Sequence, residues 1–122
     1  MTALVLYGIN NCDTVKKARR FLDDHQIAYQ FYDYKKQPVT TELLQQFLQH
    51  FSWQDLLNRR GTTWRRLDEQ QKAQINSAES AIPLMIAHPS IIKRPILSNG
   101  KHYLLGFDAE QYQQTLQELG YE

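Results

Sequence analysis

The apolar run Leu4-Val5-Leu6-Tyr7 gives way within a few residues to a stripe of Val15, Ala18, Phe21 and Leu22 at helical spacing. A short continuous run followed by a 3.6-residue period marks a buried strand feeding an amphipathic helix. The spacing predicts a strand at 3–7 and a helix at 13–24, with Lys16, Lys17, Arg19, Arg20, Asp23 and Asp24 mostly on the outer side. Tyr29, Phe31 and Tyr32 predict a second strand at 28–33. Strand, helix and strand within about thirty residues predict a parallel βαβ unit with a right-handed crossover.

From Thr40 to His88 nearly everything reads as helix. Thr40 or Thr41 caps a helix with Leu43, Leu44, Phe47, Leu48 and Phe51 on its apolar face. Ser52-Trp53-Gln54-Asp55 resembles a capping box before Leu56-Leu57. Asp68 to Ile75 reads as a polar helix, and Ser77 or Ser80 opens another, in which Pro83 is expected to lie in the first turn. His88-Pro89-Ser90 stops it. Strands at 95–98 and 101–105 flank Asn99-Gly100, the signature of a type I′ hairpin. Gly106 breaks the second strand, and Asp108 caps a last helix carrying Tyr112, Leu116 and Leu119.

The order βαβ, helices, ββα predicts an α/β, thioredoxin-like fold with a mixed sheet and an all-helical insertion. A single domain is expected over 1–122, with thioredoxin-like halves at 1–35 and 89–122 and the insertion at 36–88. In such a fold a reactive cysteine stands after the first strand, at the start of the first helix, and a cis-proline faces it just before the third strand. Cys12 and Pro95 hold those places.

Cys12 is the only cysteine among 122 residues. An internal disulfide is excluded, and a zinc motif cannot be assembled, since His25, His50, His88 and His102 lack ligand spacing as well. No metal is expected. The free N–H groups and partial positive charge of a helix start favour the thiolate, the nucleophilic form of the thiol. Asn11 and Asp13 make its surroundings polar; Asp13 also suits the first turn of the helix. The other reading of a lone cysteine is a small buried hydrophobe. The net charge of +1 leaves no electrostatic footprint for nucleic acid. No stretch of about 18 apolar residues predicts a membrane span, and the N-terminus lacks a signal-peptide pattern. A soluble, cytoplasmic monomer is expected.

Three blocks carry a family resemblance: Tyr7-Gly8-Ile9-Asn10-Asn11-Cys12-Asp13-Thr14-Val15-Lys16-Lys17-Ala18, Leu56 to Arg65, and His88 to Leu97. The chain resembles the arsenate-reductase-like (ArsC/Spx) family of thioredoxin-fold proteins, and is most similar to its YffB-like branch. The resemblance implies that Cys12 is the nucleophile of a monothiol, glutathione-coupled reductase. It further implies that Arg94, before a cis Pro95, binds the substrate or glutathione, with Asn11, Lys16 and Arg60 as further contacts. No bound cofactor is implied. Glutathione is the co-substrate, and a small thiol or disulfide, or glutaredoxin, is the expected partner. Two family arginines that bind an oxyanion have no counterpart in register: Asn58 follows the Leu56-Leu57 pair, and the C-terminal region reads Tyr103-Leu104-Leu105-Gly106-Phe107. Arsenate reduction itself is therefore an alternative, as is a Spx-like adaptor for transcription machinery. The second cysteine of the Spx redox switch is replaced by Val15.

Overall fold

A computed structural model describes residues 3–122; Met1 and Thr2, included in the first thioredoxin-like half, lie outside the described residues. The elements run β1 (Val5–Gly8), α1 (Asp13–Asp24), β2 (Gln30–Asp33), α2 (Thr41–Leu48), α3 (Trp53–Leu56), α4 (Thr62–Arg65), α5 (Glu69–Gln74), α6 (Ala78–Ala87), a 3-10 turn (Pro89–Ile91), β3 (Ile96–Ser98), β4 (Tyr103–Leu105) and α7 (Ala109–Glu118). They form two compact units. One joins the described residues up to Lys36 to Arg94–Glu122; the other is Gln37–Lys93.

The first unit holds a four-stranded sheet in the order β2-β1-β3-β4. β1 and β2 are parallel, and the other pairs are antiparallel. With α1 between the parallel strands and α7 after the hairpin, this is a thioredoxin-like α/β fold. Register explains its core. Phe31, Leu6, Leu97 and Leu104 stand directly opposite one another across the four strands. Side chains of a strand alternate between faces, so this row points to one side. Ala18 and Leu22 of α1 and Tyr112 and Leu116 of α7 pack against it. Val15, Ala18 and Leu22 are fully buried, as the helical stripe requires. Tyr112 adds a polar tie: its hydroxyl donates to the Gly106 carbonyl at 3.1 Å, and its ring meets Phe107 edge-on.

The second unit is helical. Thr40 caps α2 by accepting the Leu43 N–H, and Ser52 caps α3 by accepting the Asp55 N–H. Asp68 and Gln71 form a capping box on α5. Leu43, Leu44, Phe47, Leu56, Leu57, Ala81, Met85, Ile91 and Ile92 are buried. No helix among the described residues is long and apolar enough to cross a membrane.

Two local expectations need correction. Pro83 lies inside α6, beyond its first turn, because the helix starts at the Ser77 cap. A proline there leaves the Glu79 carbonyl without its i+4 donor. Glu79 and Pro83 both lie on the exposed side, where that carbonyl can be hydrated. The hairpin after β3 is present, but its turn is not type I′. That type needs positive φ at both central residues; here Gly100 alone has it, at +94°. The Asn99 side chain accepts from the Lys101 and His102 N–H groups at 3.0 and 2.8 Å, so it shapes the loop itself.

Burial pushes the phenols of Tyr34 and Tyr112 well above their ordinary range. In the unfolded chain each ionises near pH ~10. Above that pH the folded state therefore retains protons that the unfolded state has lost, and stability falls as pH rises. Urea unfolding is expected to show a decline of up to about 1.4 kcal/mol per pH unit for each of the two tyrosines. Their phenylalanine variants separate at neutral pH. Tyr112→Phe is expected to cost about 1 kcal/mol, the usual worth of a buried hydrogen bond. Tyr34→Phe is expected to be neutral or stabilising, since the Tyr34 hydroxyl is buried with no hydrogen-bond partner among the described residues. Equal losses in both variants would contradict this.

Candidate functional site

The exit of β1 and the approach to β3 lie at one end of the sheet. Tyr7 pairs with Ile96 in antiparallel register, so Gly8 and the loop beyond it run beside Pro95. The Arg94–Pro95 peptide is cis. Gly8 is where the pieces converge. A β-carbon built on it would lie 2.9 Å from Val15 Cγ2 and 3.8 Å from Arg94 Cβ. The bare backbone of Gly8 thus lets the first turn of α1 and the Arg94 segment approach the same strand end.

Cys12 is the N-cap residue of α1, with extended backbone (φ −144°, ψ 126°). Its carbonyl accepts the Lys16 N–H at 2.9 Å, the first bond of the helix. The thiol makes no capping hydrogen bond, and it is half-buried. It therefore stands at the positive end of the helix dipole with its lone pairs uncommitted to the helix. Asp13 occupies the first turn. Val15 is buried at the position one turn on.

Of the other residues singled out by sequence, Asn11 and Lys16 are exposed at the start of α1, Arg94 is half-buried and Pro95 is buried. All belong to the first unit. Arg60 belongs to the second, where it is exposed. Its N–H donates to Asn58 Oδ1 at 3.1 Å. Asn58 also lies close under Gly61, whose added β-carbon would meet its amide nitrogen at 3.0 Å. Asn58 thus braces the Asn58–Gly61 loop, a task its short amide suits.

Two residues near Cys12 and Arg94 escaped the sequence reading. Tyr34 donates its N–H to the Gly8 carbonyl at 2.9 Å. Arg94 opposes the effect of burial on its phenol, so the two side chains feel each other. Arg19, expected on the outer face of α1, instead turns inward. Its Nε donates to the Tyr29 hydroxyl at 3.1 Å, and its Nη1 donates to Asn10 Oδ1 at 2.9 Å. The guanidinium lies 4.4 Å from the centre of the Phe31 ring. The signal was available in spacing: Arg19 follows Cys12 by seven residues, two helical turns, on the same side of the helix.

The model of the ArsC family matches residues 7–115. The chain belongs to the ArsC family. Among solved structures it is similar to the YFFB protein, at 49% identity and a TM-score of 0.89, covering 93% of this chain and 99% of that one. An arsenate reductase (ArsC) related protein from Brucella melitensis is 48% identical with a TM-score of 0.73, covering 92% of each chain. The chain is also similar to a regulator: the global transcriptional regulator Spx 1 of Lactococcus lactis is 26% identical over 109 residues, which span 87% of this chain and 83% of that protein. ArsC family membership agrees with the thioredoxin-like sheet.

The contact at Gly8 is open to test. Val15 is stiff at its β-branch and fully buried, so it has little room to yield. Gly8→Ala is expected to cost about 1–3 kcal/mol of unfolding free energy by overpacking. An alanine variant with unchanged urea midpoint would show that the helix start moves freely against the strand.

Proposed function

We propose that this ArsC family protein is a glutathione-coupled monothiol reductase in which Cys12 is the nucleophile. One observation carries the reading: the only cysteine of the chain caps α1 at the sheet end that also holds Arg94 and Pro95. Thiol–disulfide exchange needs a thiolate, access for the incoming sulfur and a means of aligning it. Cys12 stands at the helix start, beside its free N–H groups, and the half-exposed thiol gives access. The Arg94 side chain offers positive charge to a glutathione carboxylate, with Pro95 beside it, while Asn11 and Lys16 border the approach.

The cycle balances with glutathione as the reductant. The Cys12 thiolate attacks the glutathione sulfur of a mixed disulfide. A new bond forms between Cys12 Sγ and that sulfur, the old disulfide bond breaks, and the substrate leaves as a thiolate that takes a proton. A second glutathione thiolate then attacks the sulfur held on Cys12. Glutathione disulfide leaves and the Cys12 thiolate returns. Val15 supplies no thiol to resolve the adduct from within, so resolution is intermolecular; glutaredoxin is the other candidate for that step.

Turnover of a glutathione mixed disulfide, with glutathione disulfide read by a coupled reductase, tests this directly. Wild type is expected to turn over and Cys12→Ser to be inactive. Arg94→Ala is expected to lower kcat/KM about tenfold or more, the worth of one charged hydrogen bond. Absence of turnover, together with no glutathione adduct on Cys12 by mass spectrometry, would overturn the reading. The relatives named Spx favour a second reading, a protein-interaction adaptor without thiol chemistry. Binding to a polymerase subunit that persists in Cys12→Ser would support it.

A further inference from the structure

Arg19 ties together three pieces: α1, which carries it; β2 and the residue before it, through Phe31 and Tyr29; and the loop before Cys12, through Asn10. We propose that Arg19 is a positioning residue that sets the Cys12 loop by clamping Asn10, an inference that rests on the thiol chemistry proposed above. Three features support the assignment. The side chain of a helical residue leans toward the helix N-terminus, so from two turns along α1 the guanidinium reaches back to the loop. Its planar fork has donors in fixed directions, and two of them are spent on acceptors that lie on different segments. Phe31 backs the guanidinium plane, which holds the fork in one orientation.

Asn10 itself is exposed, its side chain is anchored by this bond, and only Asn11 stands between it and Cys12. Ile9 is buried and holds the start of the loop, but the exposed Asn10 and Asn11 after it sample many backbone states unless they are tied. The clamp restricts those states, and with them the direction in which Sγ leaves the helix start. Orientation of a nucleophile is costly to lose, because a small misplacement at the reacting atom lowers the rate steeply. Arg19 touches neither substrate nor sulfur in this role. It acts through Asn10.

The experiment compares wild type with Arg19→Ala, Asn10→Ala, the double variant and Arg19→Lys. Each is reacted at Cys12 with neutral iodoacetamide and with anionic iodoacetate, and amide hydrogen exchange is followed at residues 9–12. Arg19→Ala is expected to slow both reagents equally, by roughly tenfold, and to speed exchange in the loop. Asn10→Ala should do the same. The double variant should be no slower than either single one, because both remove one interaction. Arg19→Lys keeps the charge but loses the fork, and should fail to rescue. Tyr29→Phe removes one anchor of the guanidinium while keeping the charge, so it answers the same question with a smaller effect if Arg19→Ala does not fold.

A loss confined to iodoacetate would overturn the inference, since it would mean that Arg19 acts as a charge. Additive effects of the two single variants, or unchanged exchange at 9–12 in Arg19→Ala, would overturn it as well. The outcomes also separate it from the reductase reading. If wild-type Cys12 does not react in the folded protein while Arg19→Ala loosens the loop, the clamp stands and the reductase falls. If wild type reacts and Arg19→Ala matches it in rate and exchange, the clamp falls and the reductase stands.

Discussion

The first unit is organised around a contact with no spare room, the packing of Val15 onto the backbone of Gly8. A strand end and a helix start usually keep the distance their side chains demand. Here one partner has no side chain, and the helix settles directly on the strand. Three placements follow. The fully buried stripe of α1 meets the row of Leu6 and Leu97. The N-cap falls at Cys12, with the helix dipole behind the thiol. Arg94 can approach the same strand end from the other side.

The polypeptide leading to Arg94 is tied down in the second unit. Leu57 and Ile92 form an antiparallel bridge. Asn58 donates its N–H to the Ile91 carbonyl at 2.7 Å, and Lys93 donates to the Leu56 carbonyl at 2.8 Å. The Thr63 and Ser90 hydroxyls bond at 2.8 Å. These bonds clamp the segment up to the residue before Arg94 along the end of α3. A similar economy holds near Cys12, where backbone capping starts the helix and Arg19 supplies the side-chain tie. In both places the neighbours of the residue with the candidate chemistry carry hydrogen bonds that hold the chain in position.

Periodicity made the elements of the first unit legible, because burial on one face of a strand or helix leaves a regular trace. Val15, Ala18 and Leu22 recur at helical spacing, and the span of α1 coincides with the expected one. Caps were legible for the same local reason: Thr40, Ser52 and Asp108 each stand where a helix begins and accept from its first turn. The placement of Cys12 at a helix start follows from these two signals together. What escaped depends on partners distant in sequence or on competition between two local solutions. Arg19 looked like a solvent-facing charge because Tyr29, Phe31 and Asn10 come to it only after folding. Tyr34 carried no pattern at all, since its position beside Gly8 and Arg94 is set by strand register. The turn at Asn99-Gly100 went to a side-chain solution that competes with the type I′ backbone. Pro83 survives mid-helix because of solvent exposure, which no local rule about proline contains.

The sheet brings together residues from opposite halves of the chain: Leu6 lies against Leu97, with the whole of Gln37–Lys93 between them in sequence. During synthesis β1, α1 and β2 therefore emerge as a parallel pair whose next strand does not yet exist, and translation through the second unit lasts seconds. That unit is contiguous and can complete its own apolar packing in the interval. The inner strand β1 keeps one edge of N–H and C=O groups unpaired until β3 is made. Closure of the sheet, and with it the approach of Arg94 to Gly8, is thus a late event of biogenesis. A nascent chain arrested before Ile96 would carry Cys12 on a sheet still open along its centre.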